Sequence, residues 1–283
     1  MNTQSTPSKG FTLIELMITL VLSLLITYSI AQVLISSNQS SSSSDGVSQA
    51  QETARFAMSY LAGQIRPAGL DSVTDDEINT AAIISCAVTE LNDNNACPLE
   101  NATGATEANI TTAPGAVSGD RLALAWIPPA GVTTDCTGAS LPPFPVDSII
   151  INVFWVGFDA LAGSNSLWCQ GHSFDGTNII DSGTMQAIAN GVEALHVLYG
   201  EANDPIPANG TRNVSRYINA NQVTDWGRVY AIKIAVMTRS LSDITNSVSR
   251  KQYSMLDAGL YNFNDAVNRQ VFSSTFALSN YQD

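Results

Sequence analysis

Between residues 10 and 35 the chain carries one charged side chain, Glu15, in a run dominated by Leu, Ile, Val and Ser/Thr. No other stretch constrains the fold as strongly. Roughly 20 apolar residues in a helix cross the hydrocarbon of a bilayer, and this run is longer. A secretory signal has an apolar core of about 7–15 residues and a small-x-small cleavage site; here the run is too long and no A-x-A follows it. A buried helix of a soluble domain rarely runs so far without charge. The reading is one membrane-spanning helix. Lys9 and the α-amino group flank one side and an acidic bulk the other. The short N-terminus is therefore expected in the cytoplasm and the large domain outside.

Glu15 is the difficulty in that reading. A carboxylate at the centre of a spanning helix costs about 2.5–3.5 kcal/mol on insertion scales. It lies about 7 Å along the helix from residue 10, shallow enough in a lone helix to reach the interface. A tolerated interfacial glutamate is one reading. The other requires a cationic partner, and no Lys or Arg occurs between Lys9 and Arg55. The chain itself supplies none unless a new amine is made.

The residues around this point, Lys9-Gly10-Phe11-Thr12-Leu13-Ile14-Glu15-Leu16 followed by the apolar run, resemble the processing site of type IV prepilins and pseudopilins. The resemblance implies that a prepilin peptidase cuts between Gly10 and Phe11, that Phe11 is then N-methylated, and that Glu15 pairs with the ammonium of a neighbouring subunit. Such a pair removes the penalty of an unpartnered charge and favours one axial register. The expected organisation is a leader at 1–10, a membrane and assembly helix at 11–35, its amphipathic continuation at 36–69 and a periplasmic domain at 70–283.

The Ser-rich stretch 36–46 is read as a continuous but frayable helix, because Ser competes for backbone hydrogen bonds and Gly46 adds weakness. Beyond it, Val47, Ala54, Met58, Leu61 and Ile65 fall at helical spacing and are expected to face the domain. Pro67 disfavours helix at Arg66 and should end the element. Period-two patterns at 121–127, 147–158, 191–200, 226–240 and 269–278 predict strands, with Tyr230, Ile232, Ile234 and Val236 on one face. A short helix around 182–190, leading into the strand at Gly191, is an alternative. The fold class is α+β, pilin-like: one long N-terminal helix packed on an antiparallel sheet. Gln51, Arg55, Ala57, Ile65, Arg66, Ala68 and Gly69, with the ending VNRQVFSSTFALSN, resemble PilW-type minor pilins.

Four cysteines, Cys86, Cys97, Cys136 and Cys169, all follow the apolar run. An even count in an exported domain predicts two disulfides. Three connectivities are open, and Cys86–Cys97 with Cys136–Cys169 is favoured because each closes a local loop. No C-x-x-C exists and His172 and His196 stand apart from any ligand cluster, so no metal is expected. Asp71, Asp75, Asp76 and Glu77 read as a solvated loop rather than a calcium site. A net charge of −13 with scattered basic residues argues against nucleic acid.

No nucleophile-elbow, zincin, P-loop or dinucleotide motif is present. No cofactor and no enzymatic activity are expected. His196 reads as a packed or surface strand residue, and His172 as a loop residue beside a disulfide. The resemblance implies a structural minor pilin that supports or primes type IV pilus assembly at the tip, and with it twitching motility. Its implied partners are other minor pilins, the major pilin, the prepilin peptidase, the inner-membrane assembly platform, a possible tip adhesin, and the bilayer before assembly. The competing readings are a J-type pseudopilin of type II secretion and a pilus-borne adhesin or binding module.

Overall fold

The computed structural model describes residues 10–69, 110, 117–129, 132, 134–141, 149–174, 179–203, 213–241 and 249–278. The expected bridge Cys86–Cys97 and the acidic residues 71–77 lie outside them. The chain divides into two compact units, Met1–Asp45 and Gly46–Asp283. One helix, α1 (Leu13–Ile65), runs through the boundary without a break and includes the whole serine stretch. It ends two residues before Pro67, where the expected stop lies.

The first unit is the apolar part of α1. Every large apolar side chain from Leu13 to Ile35 is at least half exposed. The hydroxyls in this run turn back on the helix. Thr19 donates to the Leu16 carbonyl, Ser23 to Leu20, Thr27 to Ser23 and Ser29 to Leu25, all at 2.8–3.0 Å. Back-bonding of this kind lets Ser and Thr sit in an apolar helix without an unsatisfied donor.

The second unit holds three antiparallel sheets where one was expected. The first has β1 (Leu122–Trp126), β2 (Ile149–Asp159), β3 (Ser164–Phe174), β4 (Ile179–Ser182) and β5 (Gln186–Asn190), in the order β1-β2-β3-β4 with β5 also on β3. The second, β11-β8-β6-β7, is built from β6 (Val192–Ala202), β7 (Val214–Ile218), β8 (Val229–Arg239) and β11 (Arg269–Ala277). The third is a hairpin of β9 (Ser249–Tyr253) and β10 (Tyr261–Asp265). The alternative of a short helix at 182–190 is not realised: the segment holds the end of β4 and the whole of β5. Gln186 and Ala187 pair with Cys169 and Trp168 of β3, and this cross-strand ladder overrides a weak local helical preference.

The two larger sheets share one core with α1. Ala57, Leu61 and Ile65 of the helix meet Leu124, Phe154 and Leu167 of the first sheet and Leu195, Val197 and Ile234 of the second. As expected, Phe272 and Phe276 pack onto this cluster near Leu278. Segment 117–120 joins the sheets: Val117 bridges Gly157, and Gly119 bridges Leu195. A Cβ on Gly119 would stand 2.1 Å from the Leu195 carbonyl oxygen, and its φ is +84°, so only glycine fits.

The buried stripe of α1 is Gly46, Ala50, Ala54, Ala57, Leu61 and Ile65. It is rotated from the expected face: Val47 and Met58 lie at its margin. The reason is close approach. Small side chains let β8 come near enough for Thr238 Oγ1 to donate to the Ala50 carbonyl at 2.8 Å, in a fully buried contact. The Leu241 amide also donates to Gln49 Oε1 at 3.2 Å. Enlarging the stripe should therefore hurt as much as emptying it. Ala54→Leu is expected to cost about 1–3 kcal/mol through overpacking and Leu61→Ala about 2–5 kcal/mol through a cavity. Denaturant unfolding of the detergent-solubilised chain checks both.

Candidate processing and assembly site

Gly10, Phe11 and Thr12 precede the helix in a non-helical, exposed stretch, with Phe11 at 89% exposure. The Leu16 amide donates to the Thr12 carbonyl at 3.2 Å, which makes Thr12 the N-cap and Glu15 the third helical residue. Thr12 Oγ1 accepts from the Glu15 amide, and Glu15 Oε2 accepts from the Thr12 amide and from Thr12 Oγ1, each at 3.3 Å. This is a reciprocal capping box, which satisfies orphan donors at the helix start. It also sets a carboxylate at the positive end of the helix dipole. Thr12 was missed as a functional residue at the sequence level, although T-x-x-E before an apolar run is the signature of this cap. Gly10 plays no part in it: a Cβ there would meet nothing within 4 Å. The fold therefore gives no reason for glycine at that position.

The far end of α1 is tied to the first sheet around the disulfide between Cys136 and Cys169. Tyr60 Oη donates to the Cys136 carbonyl. The Cys136 amide donates to Asn152 Oδ1 at 3.1 Å, and Asn152 Nδ2 donates to Gln64 Oε1 at 3.1 Å. The Gly69 amide closes the set on the Ala125 carbonyl at 2.9 Å. The bridge thus holds a short loop whose backbone contacts both the helix and β2. Burial, reinforced by nearby Asp135, raises the Tyr60 pKa, which keeps this donor protonated.

Both histidines are buried in strands. His196, in β6, is buried between Asp120 Oδ2 at 3.3 Å and Tyr261 Oη at 2.6 Å. It links the β10 hairpin to the second sheet. His172 is corrected from loop to strand: it sits in β3, 1% exposed, with Nδ1 2.9 Å from Ser182 Oγ. The sequence hid this because β3 carries Ser, Gln, Gly and His where a typical strand has branched residues. Among the described residues no group of His, Cys, Asp and Glu is arranged to hold a metal ion.

Residues 6–27 match the prokaryotic N-terminal methylation motif, which covers the Gly10–Phe11 bond, the capping box and Glu15. Residues 153–280 match type IV pilus-assembly protein W, from β2 to the end of β11. The chain is a PilW-type, type IV pilin-like protein. A type IV-like pilin from Thermus thermophilus is similar in structure, with 10% identity, a TM-score of 0.42, and coverage of 82% of this chain and 98% of that one. No curated protein sequence matches. The pilin is a structural component of a pilus, anchored by its apolar helix in a membrane and then incorporated. Other pilins and the prepilin peptidase are its general partners.

His172 gives this pilin a measurable pH dependence. Burial lowers its pKa to about 4, with Asp135 pulling weakly the other way. As pH falls through about 6.5, the unfolded chain takes up a proton that the folded chain refuses. Stability from this site is complete above pH 6.5, falls between 6.5 and 4, and levels off below. The full shift amounts to roughly 3 kcal/mol. The unfolding free energy of the wild type minus that of His172→Asn is expected to drop by about 2–3 kcal/mol between pH 7.5 and 4.5.

Proposed function

We propose that this pilin is a minor subunit that primes and supports assembly of the type IV pilus from its tip. In this reading residues 1–10 are a leader, the peptidase cuts between Gly10 and Phe11, and Phe11 is N-methylated. Residues 11–35 hold the chain in the inner membrane, with the domain in the periplasm, until the chain enters the fibre. Its specific partners are then other minor pilins, the major pilin and the assembly platform.

The observation that carries this reading is the N-terminal arrangement. An exposed, unstructured Gly-Phe bond stands directly before a capped helix whose first turn holds one carboxylate and whose next twenty residues bury nothing. The chain alone offers that carboxylate only the Thr12 cap among the described residues. A cap is worth about 1 kcal/mol, while a charge within hydrocarbon costs about 2.5–3.5 kcal/mol. The cap does not offset the burial. Cleavage creates an ammonium at Phe11, and a neighbour's ammonium beside Glu15 closes the difference. Glycine at position 10, unneeded by the fold, fits a demand made by the peptidase.

Substitution at Glu15 separates cap from charge. Gln at the third helical position keeps the capping box but has no charge. Glu15→Gln and Glu15→Val are both expected to cut the amount of this chain in sheared fibres about tenfold or more, with the domain still folded, an effect of roughly 1.4 kcal/mol or more. If Glu15→Gln assembles like the wild type, the ion pair is not the driving interaction. Gly10→Val should leave a precursor of full length, read by mass spectrometry of the N-terminal peptide.

A further inference from the structure

The second sheet ends on β11, and among the described residues no strand pairs with that edge. Even-numbered residues of β11 face β8 with their backbone groups: the Ser240 amide donates to the Asn268 carbonyl at 2.9 Å and the Leu278 amide to the Tyr230 carbonyl at 3.0 Å. The alternation of an antiparallel ladder then turns the amides and carbonyls of Val271, Ser273 and Thr275 outward. At Arg269 the backbone is engaged by Tyr253. The three that follow have no strand beside them among the described residues. Nor does the edge carry the usual protection: from Val271 to Ala277 it has no Pro, no Lys and no inward charge.

Beside this edge lies a groove of about 290 Å³ between β11 and α1. Ala54, Met58 and Phe272 give it an apolar floor, and Gln51, Arg55 and Ser274 a polar rim. Arg55 is exposed and makes no ion pair among the described residues. A guanidinium at the mouth of an apolar slot, next to a row of free backbone donors and acceptors, has the chemistry of strand addition with one charged anchor.

We propose that this edge and groove dock an acidic, extended segment of a different protein chain. The incoming strand bonds to the backbones of Val271, Ser273 and Thr275. It sets a small apolar side chain against Met58 and Phe272 and a carboxylate on Arg55. A second copy pairing through the same edge is disfavoured, because an antiparallel β11–β11 contact would bring two Arg55 side chains together without a counter-charge. The inference concerns the partner of the PilW domain and does not depend on where in a fibre the chain resides.

The test uses the full-length chain in its own cells, with photoreactive p-benzoylphenylalanine at the exposed positions Ser273 or Thr275. Both positions should capture the same segment of one other chain, at sites two residues apart, with an Asp or Glu within two residues. Arg55→Glu should lower the yield at least tenfold, and a Lys in place of the partner's acid should restore it. Ser273→Pro, which removes an outward amide and leaves the inner ladder intact, should lower the yield from Thr275 likewise. The proposal is overturned by absent adducts, adducts scattered over unrelated sequences, adducts to β11 of a second copy, or yields indifferent to Arg55→Glu in a chain of unchanged unfolding temperature. The amount of chain in sheared fibres from the same cells is read separately and tests the function proposed above.

Discussion

A single helix here answers to two environments, and the change falls within one unbroken element. From Leu13 to Ile35 its large apolar side chains are at least half exposed; from Gly46 to Ile65 a stripe of small and apolar residues lines a core shared by two sheets. Neither half tolerates the other's sequence. Large apolar residues at positions 50 and 54 would hold β8 away and break the Thr238–Ala50 contact. Alanines at positions 13–35 would weaken the attraction to hydrocarbon, which scales with apolar area at about 25 cal/mol per Å². The backbone of the first half is satisfied within the helix, and its hydroxyls are folded back onto it. That leaves Glu15 as the one group whose needs extend beyond the cap.

The domain half is organised around junctions between sheets. Segment 117–120 stitches β2 to β6 through a glycine that no other residue can replace. A second junction lies at the disulfide, where the Cys136 backbone accepts from Tyr60 and donates to Asn152, which in turn holds Gln64. A third is ionic. Arg269 is buried between Glu193 and Asp265 and stacks on Phe263, 3.5 Å from guanidinium carbon to ring centroid. With His196 and Tyr261 it fastens the β9–β10 hairpin to the outer face of the second sheet. Buried charges of this kind are costly to strand once one partner is removed, so the hairpin is held by specific pairing as much as by apolar area.

What could be read from the sequence followed the strength of local signals. β2, β6 and β8 are rich in Val, Ile and aromatic residues and were legible as strands; so was the α1 stop at Pro67. β3 was not, because SNSLWCQGHSF lacks branched residues and is fixed by eleven paired positions on β2. β9 and β10 are polar (SRKQY and YNFND) and owe their place to Met255 and Tyr261 packing on Ala194, Ala235 and Met237. The packing of Met255 and Tyr261 on Ala194 joins distant positions, and local pattern carries no trace of it. Of the helix face, Ala54, Leu61 and Ile65 were legible and are buried; Gly46, Ala50 and Ala57 were not, because close approach selects small residues that carry little apolar signal. At the N-terminus the cleavage motif and Glu15 were plain. The cap through Thr12 was equally present in the letters, as T-x-x-E before an apolar run.

The serine stretch shows how a helix can persist where little packs against it. Between residues 36 and 45 every side chain but Ser43 is exposed, so packing contributes almost nothing. Seven serines, Asn38, Asp45 and Gly46 together make the segment about 5 kcal/mol less favourable than alanine as helix. A free peptide of that sequence would not be helical, since nucleation is itself unfavourable. In the chain no nucleation is needed, because helix enters from both ends: from the apolar run and from the stripe beginning at Gly46. Melting this segment sacrifices little packing, while the flanks keep theirs. The boundary between the two compact units falls at its end, at Asp45/Gly46. This is the place along α1 where tension or crowding would lengthen the chain at least cost to either unit.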